Sequence, residues 1–113
     1  MWIFSTSGFF SIVQKGNRPG TPFCIRARVR EDLENLQAKL DALGPIEEEL
    51  GTDYPYRIYA NGSEVSTLMF MLTEDITYSN FKSEVAKTQG YERAHLYSDV
   101  WSVMYGAEKK LSK

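Results

Sequence analysis

The stretch 23–45, FCIRARVREDLENLQAKLDALGP, carries two periods in succession, and the change between them decides the fold class. Phe23, Ile25, Ala27 and Val29 alternate with Cys24, Arg26, Arg28 and Arg30. Such alternation is the pattern of a strand with one buried face. From Glu31 onward Leu33, Leu36, Leu40 and Leu43 recur three and four residues apart. Acids crowd the first turn, and Gly44-Pro45 supplies a stop. This second pattern predicts an amphipathic helix. Strand alternation also places Arg26, Arg28 and Arg30 together on the face away from the helices, within about 13 Å at 6.6–6.8 Å per pair of residues.

Upstream, Trp2-Ile3-Phe4 and Phe9 to Lys15 are rich in aromatic and β-branched residues and read as strands, with Gly8 a bulge or bend between them. The loop GNRPGTP (16–22) has no apolar side chain and reads as a hairpin connection, so the Phe23 strand returns antiparallel. Downstream, IEEELGTD is an acidic connection to YPYRIYA (54–60). There Tyr56, Ile58 and Ala60 share one face, and Pro55, Arg57 and Tyr59 the other. Pro55 cannot donate to a ladder, which marks a strand start or an edge.

The second half reads as helical. Asn61-Gly62 makes a turn, and Ser63 caps a helix with the stripe Val65, Leu68, Met69 and Leu72. Thr77 to Thr88 is a shorter helix carrying Tyr78, Phe81 and Val85, closed near Gly90. Tyr91 to about Tyr105 places Ala94, Leu96, Tyr97, Val100, Trp101, Val103 and Met104 on an arc of ~200°. An arc that wide predicts a helix buried on more than half its circumference.

Strands first and helices after, with one β-α-β crossover, predict an α+β fold. The expected architecture is a two-layer sandwich: an antiparallel or mixed sheet of three to four strands from the N-terminal half, with three to four helices packed on one face. A ferredoxin-like order is not met, because no strand pattern follows the last helix. The 113 residues suit one domain, 1–106, followed by a frayed basic tail, 107–113.

Composition narrows the functional classes. Apolar residues at 42% and charged residues at 25% are ordinary for a globular chain. One cysteine and one histidine allow neither an internal disulfide nor a thiolate–imidazole zinc site within one chain, and no metal is expected. Neither phosphate-cradling glycine motif occurs, and no cofactor is expected. The apolar start MWIFSTSGFFSIVQK lacks a basic n-region and a small-residue cleavage pattern, and no run reaches the ~18 apolar residues of a membrane span. The expected location is cytoplasmic, with no membrane partner. Asn61-Gly62-Ser63 matches a glycosylation sequon in form, but is read as a turn before a helix.

Together MWIFSTSGFFSIVQK, RARVREDL, DYPYR, YSNFKSEVAK and ERAHLYSDVW resemble a family of short bacterial proteins of uncharacterised function, and the similarity covers most of the chain. The resemblance implies a bacterial or phage origin and a self-contained small domain. It implies no activity, cofactor or catalytic residue.

Several residues are candidates for chemistry. Arg26, Arg28 and Arg30, joined by Arg57 and with Tyr59 as a stacking surface, form a candidate anion-binding face, since guanidinium forks suit phosphate oxygens. The competing reading is a solvated or internally paired face: fifteen acids balance thirteen bases, and Glu47-Glu48-Glu49 and Asp53 lie within reach of Arg57. His95 and Asp99, four apart, are the beginning of a general base, but such pairs are ordinary on exposed helix faces. Cys24 shares the arginine face, where neighbouring cations lower a thiol's pKa; a lone cysteine is more often a small, partly buried filler. Phe70 projects opposite Val65 and Leu68, where a polar residue is expected, and marks a partner contact.

These readings converge on a small non-catalytic binding or regulatory domain. It presents an arginine-lined sheet face to an anionic ligand, a phosphate-bearing small molecule or short nucleic-acid segment. The net charge of −2 disfavours long nucleic acid. The alternative is a protein-interaction or inhibitory domain, homodimeric in one form, docking an acidic partner surface. A small enzyme using His95 with Asp99 or Cys24 ranks third.

Overall fold

The computed structural model describes residues 1–112. Five strands form one wholly antiparallel sheet: β1 (Trp2–Ser5), β2 (Gly8–Gln14), β3 (Phe23–Ala27), β4 (Glu47–Glu48) and β5 (Tyr56–Ala60), in the order β1-β2-β3-β5-β4. The helices are α1 (Arg30–Lys39), α2 (Gly62–Glu74), α3 (Phe81–Gln89), α4 (Tyr91–Tyr105) and α5 (Ala107–Leu111). The fold is α+β, with the strands in the N-terminal half. The additional strand is β4, two glutamates within the stretch expected to be only a connection. It is short and polar, as an edge strand that resists further pairing should be.

The chain divides into two compact units after Ile76, inside the span 1–106 expected as one domain. In the first, Phe10, Ile12, Ile25, Ala27, Ile58 and Ala60 line one sheet face and pack against Leu33 and Leu36 of α1 and Leu68 and Leu72 of α2. Ile12, Ile25 and Ile58 lie in one register row, which carries the core across three strands.

One buried carboxylate ties α1 to the first hairpin. Asp32 is 1% exposed, and its Oδ2 accepts the Phe9 N–H at 3.1 Å, while Asn35 donates to the Ser7 carbonyl at 2.9 Å. Gly8, at φ +146°, lies directly against the Asp32 side chain, where a β-carbon would overlap the carboxyl. Gly8 therefore serves close packing as the first residue of β2. The turn itself is Thr6–Ser7, closed by the Ser5–Gly8 pair.

The Phe23 strand is shorter than its alternation suggests. It ends at Ala27, Val29 is exposed at the helix N-cap, and Arg30 opens α1. The helix has to begin there for Asp32 to reach the Phe9 N–H, so a tertiary contact overrides the local period. Its other end also comes early, at Lys39 rather than near Gly44. At α2 the cap is Asn61, not Ser63. Asn61 Oδ1 accepts from Glu64 N–H, and Glu64 Oε1 accepts from Asn61 N–H, both at 2.8 Å, a reciprocal capping box.

The second unit is helical. Asn80 caps α3 through the Ser83 N–H at 2.9 Å, and Gly90, at φ 96°, breaks α3 from α4. Phe81 and Tyr97 stack with centroids 5.9 Å apart and planes 6° from parallel. Only Val85, Ala94 and Tyr97 are fully buried among the described apolar residues of this unit. The expected burial of more than half of α4 is not found: Leu96, Trp101, Val103, Met104 and Tyr105 are exposed. Residues 107–111 of the expected tail form α5, and Lys113 lies outside the described residues.

Candidate functional site

One register row runs across the helix-free face of the sheet through all five strands: Trp2, Ser11, Arg26, Arg57 and Glu47. Arg26 and Arg57 are directly opposed. Like charges facing each other on adjacent strands are destabilising unless something neutralises them. Arg57 is neutralised: it is only 9% exposed, its Nη1 lies 2.9 Å from Glu49 Oε2, and its Nε donates to the Tyr54 carbonyl at 3.2 Å.

Arg26 is treated differently. Its Nη2 donates to Ser11 Oγ at 2.6 Å, its Nε is buried with no hydrogen-bond acceptor, and its guanidinium carbon lies 4.5 Å from the centroid of the Tyr54 ring. Arg28, past the strand end and exposed, lies 4.6 Å from the same ring. Among the described residues, neither arginine has a carboxylate within ion-pair distance. Tyr54 is itself 3% exposed, its backbone held by Arg57 and its ring 6.4 Å from Phe9. One buried tyrosine thus holds two cations together.

Arg30 and Arg18 are paired with carboxylates. Arg30, carried off the sheet by α1, reaches Glu48 at 3.1 Å and Glu34 at 3.7 Å. Arg18, from the β2–β3 loop, forms a two-pronged bond to Glu47 at 2.6 and 3.0 Å and covers the Tyr59 ring at 3.6 Å. Tyr59 therefore already stacks on a cation of its own chain. Beside this network is an open pocket of about 410 Å³ lined by Asn17, Arg18, the three glutamates, Arg57 and Tyr59.

Toward β1 the same face turns aromatic. Phe4 stacks on Phe9 at 4.4 Å, Trp2 meets Phe9 edge-on at 5.9 Å, and Trp2 is 69% exposed.

Three other candidates came from the sequence: Cys24, which belongs to this face, and His95 and Phe70, which are carried by helices. Cys24 is on it by register but fully buried. Burial pushes its thiol up, outweighing the opposing pull of Arg57, the Tyr59 hydrogen bond and Arg26. A thiol so held is protonated at neutral pH, the opposite of an activated nucleophile. His95 is exposed on α4 and lines an open pocket of about 300 Å³ with Lys82, Ser83 and Ser98. No hydrogen bond or ion pair joins His95 to Asp99. Phe70 is 65% exposed on α2.

Comparisons of the chain with protein-family models, curated proteins and solved structures give no match.

Sequence reasoning missed Tyr54, Ser11 and Arg18. Tyr54 precedes β5, outside the alternation that places Arg57 and Tyr59. Its only sequence sign is the aromatic surplus of the chain. Arg18 belongs to a loop, where no period operates.

Proposed function

We propose that this protein is a non-catalytic binding domain that takes a phosphate-bearing ligand at Arg26 and Arg28. The observation that carries the reading is selective neutralisation. Arg18, Arg30 and Arg57 each have a carboxylate at 2.6–3.1 Å, whereas Arg26 and Arg28, held side by side on Tyr54, have none. Bringing cations together without counter-charge costs electrostatic energy, and an arriving anion recovers it. Two adjacent forks supply parallel donors to phosphate oxygens, and the buried Nε of Arg26 has no acceptor among the described residues. Trp2, in the same register row, offers a flat apolar surface to a ring attached to that phosphate.

Titration calorimetry with inorganic phosphate, pyrophosphate, ADP and a short oligothymidylate, at low and moderate salt, tests this. Binding is expected to weaken with salt. Arg28→Ala, at an exposed position, should lower affinity roughly 10-fold or more, with Arg28→Lys recovering only part. A tighter fit for ADP than for pyrophosphate that disappears in Trp2→Ala identifies a ring-bearing ligand. Absence of heat and of thermal stabilisation with all four at low salt refutes the reading, as does unaltered affinity in Arg28→Ala.

A further inference from the structure

The β2–β3 loop has a stiff tip on a loose stem. Residues 16–20 are all exposed. At the tip, the Thr21 N–H donates to the Arg18 carbonyl at 3.2 Å, with Pro19 second in the turn and Gly20, at φ +82°, third. Proline followed by a positive-φ glycine is the make-up of a type II turn, so residues 18–21 move as one piece. The stem contains Gly16, at φ +73°, where a β-carbon would meet nothing within 4 Å. Its N–H reaches the Pro22 carbonyl at only 3.4 Å, whereas Lys15 makes a firm bond to the same oxygen at 2.8 Å. The regular ladder therefore stops at Lys15, and the tip hangs from a residue free to turn.

Arg18 ties the tip to the sheet. Among the described residues, it alone joins a side chain of residues 16–20 to the rest of the chain by hydrogen bond or ion pair. Its reach runs over Tyr59 of β5 to Glu47 of β4. A cation on a ring and an ion pair both hold weakly where water competes. Next to this contact is Cys24, which faces Tyr59 in register and is fully buried, although α1 and α2 pack on the opposite side of the sheet. Its surroundings are long side chains: Tyr59 hydrogen-bonds the thiol, and the charges of Arg57, Arg26, Lys15 and Arg18 act on it.

We propose that residues 16–21 form a strap, latched by Arg18 across Tyr59 and Glu47, whose opening uncovers Cys24 and the polar pocket that the strap walls. Asn17 and Arg18 are themselves part of the lining of that pocket, with Glu47, Arg57 and Tyr59 opposite, so lifting the strap removes one wall. It also frees the Tyr59 ring, which Arg18 otherwise occupies. The strap gates this end of the face whether or not a phosphate sits at Arg26, and its test needs no ligand.

The chain has one cysteine, so alkylation by iodoacetamide, followed by mass spectrometry, reads the opening directly. The parent should label slowly, at a rate unchanged by urea well below the unfolding transition, because the opening is local. Arg18→Ala should raise the rate roughly tenfold with circular dichroism unchanged. Loss of a neighbouring positive charge by itself makes a thiol less reactive, so an increase reports access. Adding Glu47→Gln to Arg18→Ala should bring no further rise, because the two residues form one latch. Arg30→Ala, which loses its own carboxylate pair on α1, should stay within about twofold of the parent. A rate unmoved by Arg18→Ala overturns the proposal. So does a rise as large in Arg30→Ala, or a parent rate that climbs with urea in step with global unfolding.

Discussion

Helices α2 and α4 carry apolar stripes of comparable extent and meet opposite fates. In α2, Leu68 and Leu72 are buried and Val65 and Met69 pack against the same core. In α4, Ala94 and Tyr97 are buried, while Leu96, Val103 and Met104 face outward. The difference lies in what each helix is given to cover. The sheet presents a continuous row of Ile12, Ile25 and Ile58, and α2 joins α1 in closing it. Helix α3 offers α4 little more than Val85 and Phe81. Periodicity reports which side of a helix is apolar; whether a complementary surface exists is a tertiary fact.

The largest effect that would sharpen this contrast is expected at Gly8, where the sheet unit is locked. Gly8→Ala adds a β-carbon at φ +146° and drives it into the buried Asp32 carboxyl. Backbone strain and overpacking together should cost roughly 3–5 kcal/mol. Chemical denaturation read by near-ultraviolet dichroism measures it, and a loss under about 1 kcal/mol would show that the hairpin and α1 are not locked together.

A paired substitution tests the contrast itself. Leu68→Ala leaves a hole in a fully buried site and should cost about 2–5 kcal/mol. Leu96→Ala, at a position 58% exposed, should change stability by no more than about 0.5 kcal/mol. Equal losses at both positions would erase the distinction between the helices.

How much of this was legible follows from the same logic. The alternation in β3 and β5 correctly separated Ile25, Ala27 and Ile58 from Arg26 and Arg57, because one strand face is buried and the other is not. The three- and four-residue spacing of Leu33 and Leu36 likewise gave the buried side of α1. What no period could supply was the point where one pattern yields to the next. Val29 and Arg30 continue the alternation on paper, but the Asp32–Phe9 contact draws them into the start of a helix. The candidate site was half legible for the same reason. Its strand residues were read from parity, and Glu49 was placed within reach of Arg57 by its nearness in sequence, whereas Tyr54 and Arg18 come from segments without regular structure and are brought there only by the folded chain. The three glutamates decide the outcome, because which arginine each one reaches determines which arginines are left without a carboxylate.

The smallest expected effect concerns those paired arginines. Hydrogen bonding from Arg18, aided by its charge, holds the Glu47 carboxyl below its ordinary value of 4.5 against a weaker opposing effect of burial. A carboxyl with a lowered folded pKa adds stability that is present above its unfolded pKa and is lost as pH falls through the folded one. The pair therefore stabilises at neutral pH, and its contribution disappears below about pH 4.5. Both side chains are 43% exposed, so solvent screening keeps the gain small. Arg18→Met should lower stability by that small amount at pH 7, with the wild-type and variant curves converging as the pH falls and Glu47 protonates. Arg26→Met has no carboxylate to release, so it should produce no such convergence at Glu47. Equal acid dependence in both variants would show that the chain does not distinguish its neutralised arginines from those it leaves open.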